Sequence, residues 1–269
     1  LFEKMYDYCE ALDLDIDTLI QEEGSGQMEI NFQHGSPMDL ADQVFMFKRT
    51  LREVAFEFDI YATFMAKPMQ SEPGSSLHIH QSVTDSRTGR NIFVDDEGRN
   101  SRLFQHYLGG LQRYLPAAIA YLAPNVNSYR RLTPGNLAAP INTEWGYDNR
   151  TVGLRAPYSS AEATRIESRI AGADANPYLA MATNLACGYL GMMEQLEPRP
   201  PLQSTGYKAG HNLPSELGRA LDALEECRAL HDLMGERFTQ AYLAAKRTEY
   251  EAYFRVISSW ERQYLLLRV

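Results

Sequence analysis

Residues Lys67 to Ser82, KPMQSEPGSSLHIHQS, leave the chain few ways to fold. A Pro/Gly/Ser turn runs directly into a segment whose side chains alternate, so His78, His80 and Ser82 fall on one face of a strand. The turn frees backbone N–H groups to approach a phosphate, and imidazole is a common metal ligand. Read by itself, each histidine is a hydrogen-bonded structural residue. Two further segments bear on that reading.

The first is Gln21 to Phe32, QEEGSGQMEINF. Gly24-Ser25-Gly26 between two short runs predicts a tight hairpin. Beyond it Gln27, Glu29 and Asn31 face one way and Met28, Ile30 and Phe32 the other. An ordinary half-buried strand would turn that polar face to water. The hairpin also brings Glu22 back towards Glu29, and two close carboxylates repel unless a cation lies between them or one takes a proton. Mg²⁺ or Mn²⁺ suits such oxygen ligands. The second segment is Thr164 to Ile170, TRIESRI, in which Arg165, Glu167 and Arg169 line one face. On a solvated strand this row is a salt-bridge ladder of little energy. On a strand facing a cavity it is a metal carboxylate between two fixed cations that hold phosphate or carboxylate bidentately. Further arginines cluster at Asn127-Ser128-Tyr129-Arg130-Arg131 and from Asp148 to Arg155.

These segments, in this order, resemble the catalytic domain of the glutamine synthetase family. The signature KP, a glycine turn and HxHxS appears as Lys67-Pro68, Gly74-Ser75 and His78, His80 and Ser82. The hairpin ExGxGQxE is read in Glu22, Gly24, Gly26, Gln27 and Glu29. NSYRRL at Asn127 to Leu132, NRxxxxR at Asn149 to Arg155, RIExR at Arg165 to Arg169 and ANPYL at Ala175 to Leu179 follow. More narrowly, QMEINF, ATFMAKPM at Ala62 to Met69, EPGSSLHIHQS and NRTVGLR resemble the branch that γ-glutamylates polyamines such as putrescine.

The resemblance implies an ATP-dependent ligase that phosphorylates the side-chain carboxylate of glutamate and lets an amine attack the acyl phosphate. By motif position, Glu22 and Glu29 match ligands of the metal on the glutamate side, and His78 and Glu167 ligands of the metal on the nucleotide side. Gly74 matches the backbone contact to substrate glutamate and Arg131 its carboxylate clamp. Arg150 and Arg155 match phosphate contacts, His80 and Ser82 belong to the nucleotide signature, and Arg169 matches a residue near the transferred phosphate. The catalytic set is thus Arg131, Arg150, Arg155 and Arg169. Ammonia-using relatives carry a flap glutamate in a PGxEAP context. Here Thr133 to Pro140 reads TPGNLAAP without an acid, which points to an organic amine with an aliphatic body. Glu144, beside Trp145 whose ring could face a cation, is the expected acceptor for a distal ammonium. The tyrosine that some bacterial relatives adenylylate has no match in Ala209-Gly210-His211-Asn212-Leu213-Pro214. Glutamine synthetase proper, a non-catalytic structural relative and a phosphagen-kinase-like phosphotransferase are the other readings.

Composition excludes other classes. A net charge of −9 and a pI near 5.2 argue against nucleic-acid binding. No run reaches the roughly 18 apolar residues of a membrane helix, and no signal peptide is visible. Cys9, Cys187 and Cys227 lack metal-ligand spacing and read as free thiols of a reducing cytosol. The 269 residues form one catalytic domain, α+β, with a curved antiparallel sheet as a half-barrel packed with helices. Strands are expected near 15–23, 27–33, 60–67, 75–84, 151–156 and 163–170. Ser36-Pro37 and Asn176-Pro177 start helices, Leu40, Val44, Phe47, Leu51, Val54 and Phe58 form a core stripe, and residues 214–268 give two or three helices. The family's N-terminal β-grasp domain and first catalytic strand, with two more metal carboxylates, are expected to be missing. A homo-oligomer, dodecameric in the family, is the expected assembly.

Overall fold

A computed structural model describes residues 1–135, 139–210 and 212–269. Helix α1 (Phe2–Ala11) leads into strands β1 (Ile16–Gln21) and β2 (Met28–Phe32), then α2 (Pro37–Glu57) and β3 (Ile79–Gln81). After α3 (Arg102–Leu122) and the single turn α4 (Ser128–Arg131) come β4 (Trp145–Tyr147), β5 (Leu154–Ala156) and β6 (Ile166–Ser168). Helix α5 (Pro177–Glu194) precedes α6 (Leu217–Glu226), α7 (Arg228–Met234), α8 (Glu236–Phe254) and α9 (Ser259–Leu265). Helices and strands segregate rather than alternate regularly, which makes the fold α+β.

Helix α3 is the hub. Ser101 caps it, its hydroxyl accepting from Phe104 N at 3.1 Å. Phe104, Leu108, Leu111, Leu115, Ile119 and Leu122 form one buried stripe, and His106, Tyr107, Gln112, Tyr114 and Tyr121 are buried beside it, so most of the helix surface lies inside while Arg102 and Arg113 reach solvent. Helix α5 crosses it through glycines. A Cβ on Gly110 would come 2.6 Å from Gly191 Cα, so only a bare backbone permits this approach. Asn176 caps α5 as the sequence predicts, accepting from Tyr178 N at 3.0 Å and Leu179 N at 3.3 Å, with Pro177 following. Ser36 precedes α2 without a side-chain cap bond.

The main sheet runs β3-β6-β5-β4. It is antiparallel at β3–β6 and β6–β5, as expected, but parallel at β5–β4. So short a connection between parallel strands is possible because each has three residues and Asp148 turns the chain with φ +47°. Asn149 then braces the turn, its Oδ1 accepting from Thr151 N at 3.0 Å and Oγ1 at 2.6 Å. Strand β4 was not expected. The segment 60–67 is irregular, and the expected strand at 75–84 is reduced to Ile79–Gln81 because its flanks bond to loops.

The β1–β2 hairpin, α1 and α2 build a second, smaller core from Met5, Cys9, Phe47 and Val54, with Ile16, Ile30 and Phe32 against it. The predicted α2 stripe holds at Val44, Phe47 and Val54, whereas Phe58, just past the helix end, is exposed. The C-terminal region contains four helices rather than two or three. Among the described residues no helix is long and apolar enough to cross a membrane.

Candidate active site

Strand β6 lies between β3 and β5, and the register sets Glu167 opposite His80 on one side and Arg155 on the other. Alternation then turns Arg165, Glu167 and Arg169 to the face that carries His78 and His80. Glu167 is the centre. Its Oε2 accepts from Arg155 Nη1 at 2.7 Å, and its Oε1 from Arg169 Nη1 at 2.7 Å, with His78 Nδ1 3.3 Å away. Burial alone would raise the Glu167 carboxyl; the Arg169 charge, His78 and the Arg155 hydrogen bond outweigh it and hold it at about 2. Burial, followed by the charge of Arg169, pushes the His78 imidazole down to about 3 against the opposing pull of Glu167. His78 is therefore neutral at physiological pH. The buried Arg169 Nε has no hydrogen-bond partner among the described residues. His80 Nδ1 accepts from Arg165 Nε at 3.1 Å, and Ser82 is exposed just beyond β3.

The hairpin brings the other carboxylates together. Glu22 N donates to Gln27 O at 3.0 Å, and Ile20 pairs with Glu29. Burial raises the Glu22 carboxyl, and the neighbouring Glu29 carboxyl, by hydrogen bonding and by its charge, raises it further, while Glu23's backbone and Arg150 pull it back. Two straps dock the hairpin on the turn at 72–75. Ser25 N donates to Glu72 Oε2 at 2.9 Å, and Gln27 Nε2 donates to Gly74 O and Ser75 Oγ, each at 3.0 Å. Gly74 lies against the buried Arg131. A Cβ there would meet Ala66 O at 2.6 Å and Arg131 Cδ at 2.9 Å, so the turn needs glycine. Arg131 donates to Ile170 O, and burial, opposed by Asp174 and reinforced by Arg169, brings it to about 10.

The arginines divide between these groups. Arg155 and Arg169 meet at Glu167, whereas Arg150 is exposed and forms no ion pair with a described residue; its charge is felt at Glu22. Glu144 and Trp145 do not form the expected ammonium site. Glu144 accepts from Arg199 Nε at 2.9 Å, so its charge is already matched. Trp145 is 2 % exposed, donates Nε1 to Arg199 O at 2.5 Å and packs edge-on against Phe104 and Tyr147, leaving no ring face for a cation. Asn136, Leu137 and Ala138 of the flap segment, and His211, lie outside the described residues. One participant escaped the sequence reading: Asp148, whose Oδ1 accepts from Arg155 Nε at 3.0 Å and also from Nη2. Its only sequence signal is an acid beside an arginine-rich motif.

Among the described residues no three His, Cys, Asp or Glu side chains close round one metal position. Two pairs remain, Glu22 with Glu29 and His78 with Glu167. They fit hard divalent cations: Mg²⁺ keeps several waters and takes one or two carboxylates, and the hairpin pairing sets Glu22 and Glu29 close enough for the Glu29 charge to raise the Glu22 carboxyl.

Residues 1–265 match the family model for the glutamine synthetase catalytic domain. The chain belongs to the glutamine synthetase family. This catalytic domain is 38 % identical over 252 residues to γ-glutamylputrescine synthetase of Escherichia coli (strain K12), covering 93 % of the chain and 53 % of that protein. It is 34 % identical over 262 residues to the glutamine synthetase of Pyrococcus abyssi, covering 94 % and 58 %. The chain thus spans between half and three-fifths of these curated relatives. A solved structure described as apo GmaS without ligand superposes with a TM-score of 0.88 at 30 % identity, covering 99 % of the chain and 62 % of its own. A GmaS/ADP complex gives 0.88 at 32 % identity. Every element that carries the site described above lies within the matched residues.

Proposed function

We propose that the protein containing this glutamine synthetase catalytic domain is an ATP-dependent ligase that joins the γ-carboxylate of glutamate to an amine through γ-glutamyl phosphate, and that the amine is organic, a polyamine such as putrescine. The observation that carries the ligase reading is the buried Arg155–Glu167–Arg169 cluster, in which Arg169 Nε still has a donor to give. A phosphoryl group is the acceptor such a fork fits.

Phosphoryl transfer asks the protein mainly for positioning and for fixed positive charge. Gly74 O is engaged by Gln27, and the turn beside it presents backbone against Arg131, whose guanidinium holds the α-carboxylate of glutamate. Arg155 and Arg169 take the charge that spreads over the transferred phosphoryl oxygens. Arg150, beside the Glu22–Glu29 pair, reaches the same phosphates from the open side. His80 and Ser82 border the nucleotide. Divalent cations held by Glu22 and Glu29, and by His78 and Glu167, would supply charge neutralisation between ATP and the glutamate carboxylate. The amine nitrogen then forms the amide bond as phosphate leaves.

For the acceptor, the support is the 38 % identity to a putrescine enzyme and the acid-free flap sequence. The many glutamine synthetases among the relatives favour ammonia as the second reading. A homo-oligomer is supported by the exposed Trp260, Leu266 and Leu267 at the C-terminal end. The test is phosphate release by the full-length protein with ATP, Mg²⁺ and glutamate across ammonia, putrescine, longer polyamines and monoamines. A higher kcat/KM for ammonia than for every organic amine overturns the acceptor assignment. Absence of any amine-dependent release overturns the ligase reading.

A further inference from the structure

Gln27 belongs to the hairpin motif, yet the reaction outlined above gives it no task. Its amide is spent on holding one loop and joining it to another. Oε1 accepts from Gly24 N at 3.2 Å, which fixes the hairpin tip, and Nε2 donates to Gly74 O and Ser75 Oγ at 3.0 Å each. The hairpin carries Glu22 and Glu29, and the turn carries Gly74 against Arg131. These loops are 47 residues apart in sequence at Gln27–Gly74, so their alignment depends on such cross-links. The hairpin packs on the smaller core while Arg131 and Glu167 belong to the body of the molecule, and α2 is what seats that smaller core on α5; the Gln27 bonds join the two loops directly at the site. The Ser25–Glu72 bond is the parallel strap, but Ser25 is exposed, whereas Gln27 is part-buried.

We infer that Gln27 is a positioning residue that couples the carboxylate hairpin to the glycine turn, so that a divalent cation at Glu22–Glu29 and glutamate at Gly74–Arg131 tighten one another's binding. This rests on the site reading proposed above. Coupling of this kind is reciprocal: whatever factor glutamate adds to cation affinity, the cation adds to glutamate affinity.

The experiment measures binding in the full-length protein without turnover. Mn²⁺ is titrated by the loss of its free-ion electron paramagnetic resonance signal, glutamate and ADP by calorimetry. Gln27→Met keeps the side-chain length and removes every hydrogen bond. It should weaken Mn²⁺ and glutamate about tenfold each, as loss of hydrogen bonds of this type does, remove their mutual tightening, and leave ADP affinity within about twofold. Ser75→Ala removes one partner of the same amide and should weaken glutamate roughly threefold. The double variant should be no weaker than Gln27→Met alone, since both substitutions break the same hydrogen bond.

Unchanged Mn²⁺ and glutamate affinities in Gln27→Met, an equal loss of ADP affinity, or additive losses in the double variant overturn the inference. If Gln27→Met does not fold, an unchanged glutamate affinity in Ser75→Ala does so. A full-length Glu29→Gln variant that keeps the wild-type number of bound Mn²⁺ ions at wild-type affinity defeats the underlying site reading instead, which separates the two failures.

Discussion

Replacing Lys48 by methionine tests how the loop that leaves strand β6 is held. Lys48 Nζ reaches out of α2 to donate to Ala173 O at 2.6 Å and Ala175 O at 2.9 Å, just beyond Arg169. Burial lowers its pKa from near 10.5 to about 8; Asp174 opposes the shift and Arg52 adds to it. The unfolded chain therefore keeps this proton longer than the folded one. Unfolding takes up a proton between about pH 8 and 10.5, so stability rises with pH across that window, and the cost of burying the charge is fully present below it. A shift of this size corresponds to about 3 kcal/mol at its limit. Lys48→Met abolishes the linkage while other titrating groups cancel in the comparison. Urea unfolding of both proteins should show the wild-type-minus-variant difference rising by about 2 to 3 kcal/mol from about pH 7.5 to 10.5. A difference that stays flat within about 0.5 kcal/mol refutes the buried, charge-penalised lysine.

Three further outcomes are expected. Asp148→Asn should lower kcat/KM about tenfold and raise KM for ATP more than KM for glutamate, because Arg155 loses the carboxylate that orients it. Gly110→Ala should cost about 3 kcal/mol or more in urea unfolding with little change in m, since its methyl would drive α3 away from α5. Glu144→Gln should leave KM for putrescine unchanged and cost about 1 kcal/mol, because its partner Arg199 is nearly half exposed to solvent; a raised KM would return Glu144 to the amine site.

What could be read from the sequence depended on the range of the interaction. The hairpin, the α5 cap at Asn176 and the Glu167 face of β6 rest on turn chemistry, local capping and alternation, and all of them appear in the structure. Glu144 and Trp145 failed because their surroundings come from Arg199 and Phe104, more than forty residues away, and adjacency in sequence says nothing of such partners. The parallel β4–β5 pair escaped for a related reason. A three-residue strand has too short a period to register, and what makes it a strand is its neighbour, not its own residues. Arg150 shares a motif with Arg155 but is exposed and makes no pair with Glu167, its charge acting on Glu22 of the hairpin instead, a partner more than a hundred residues away that the motif does not announce.

The division of the hydrophobic interior into two clusters has a temporal consequence. Glu22 and Glu29 travel with the small cluster of Met5, Cys9, Phe47 and Val54, whereas Glu167 and the arginines travel with the large one around α3. The smaller unit buries less and should open first, at a free energy below that of global unfolding. Amide hydrogen exchange in β1 and β2 should accordingly run ahead of that in α3 and α5. In each such excursion the two acidic pairs part company while the arginine cluster stays formed. The molecule would then pass through moments in which it can still hold a phosphate but has no means of lining it up with a carboxylate.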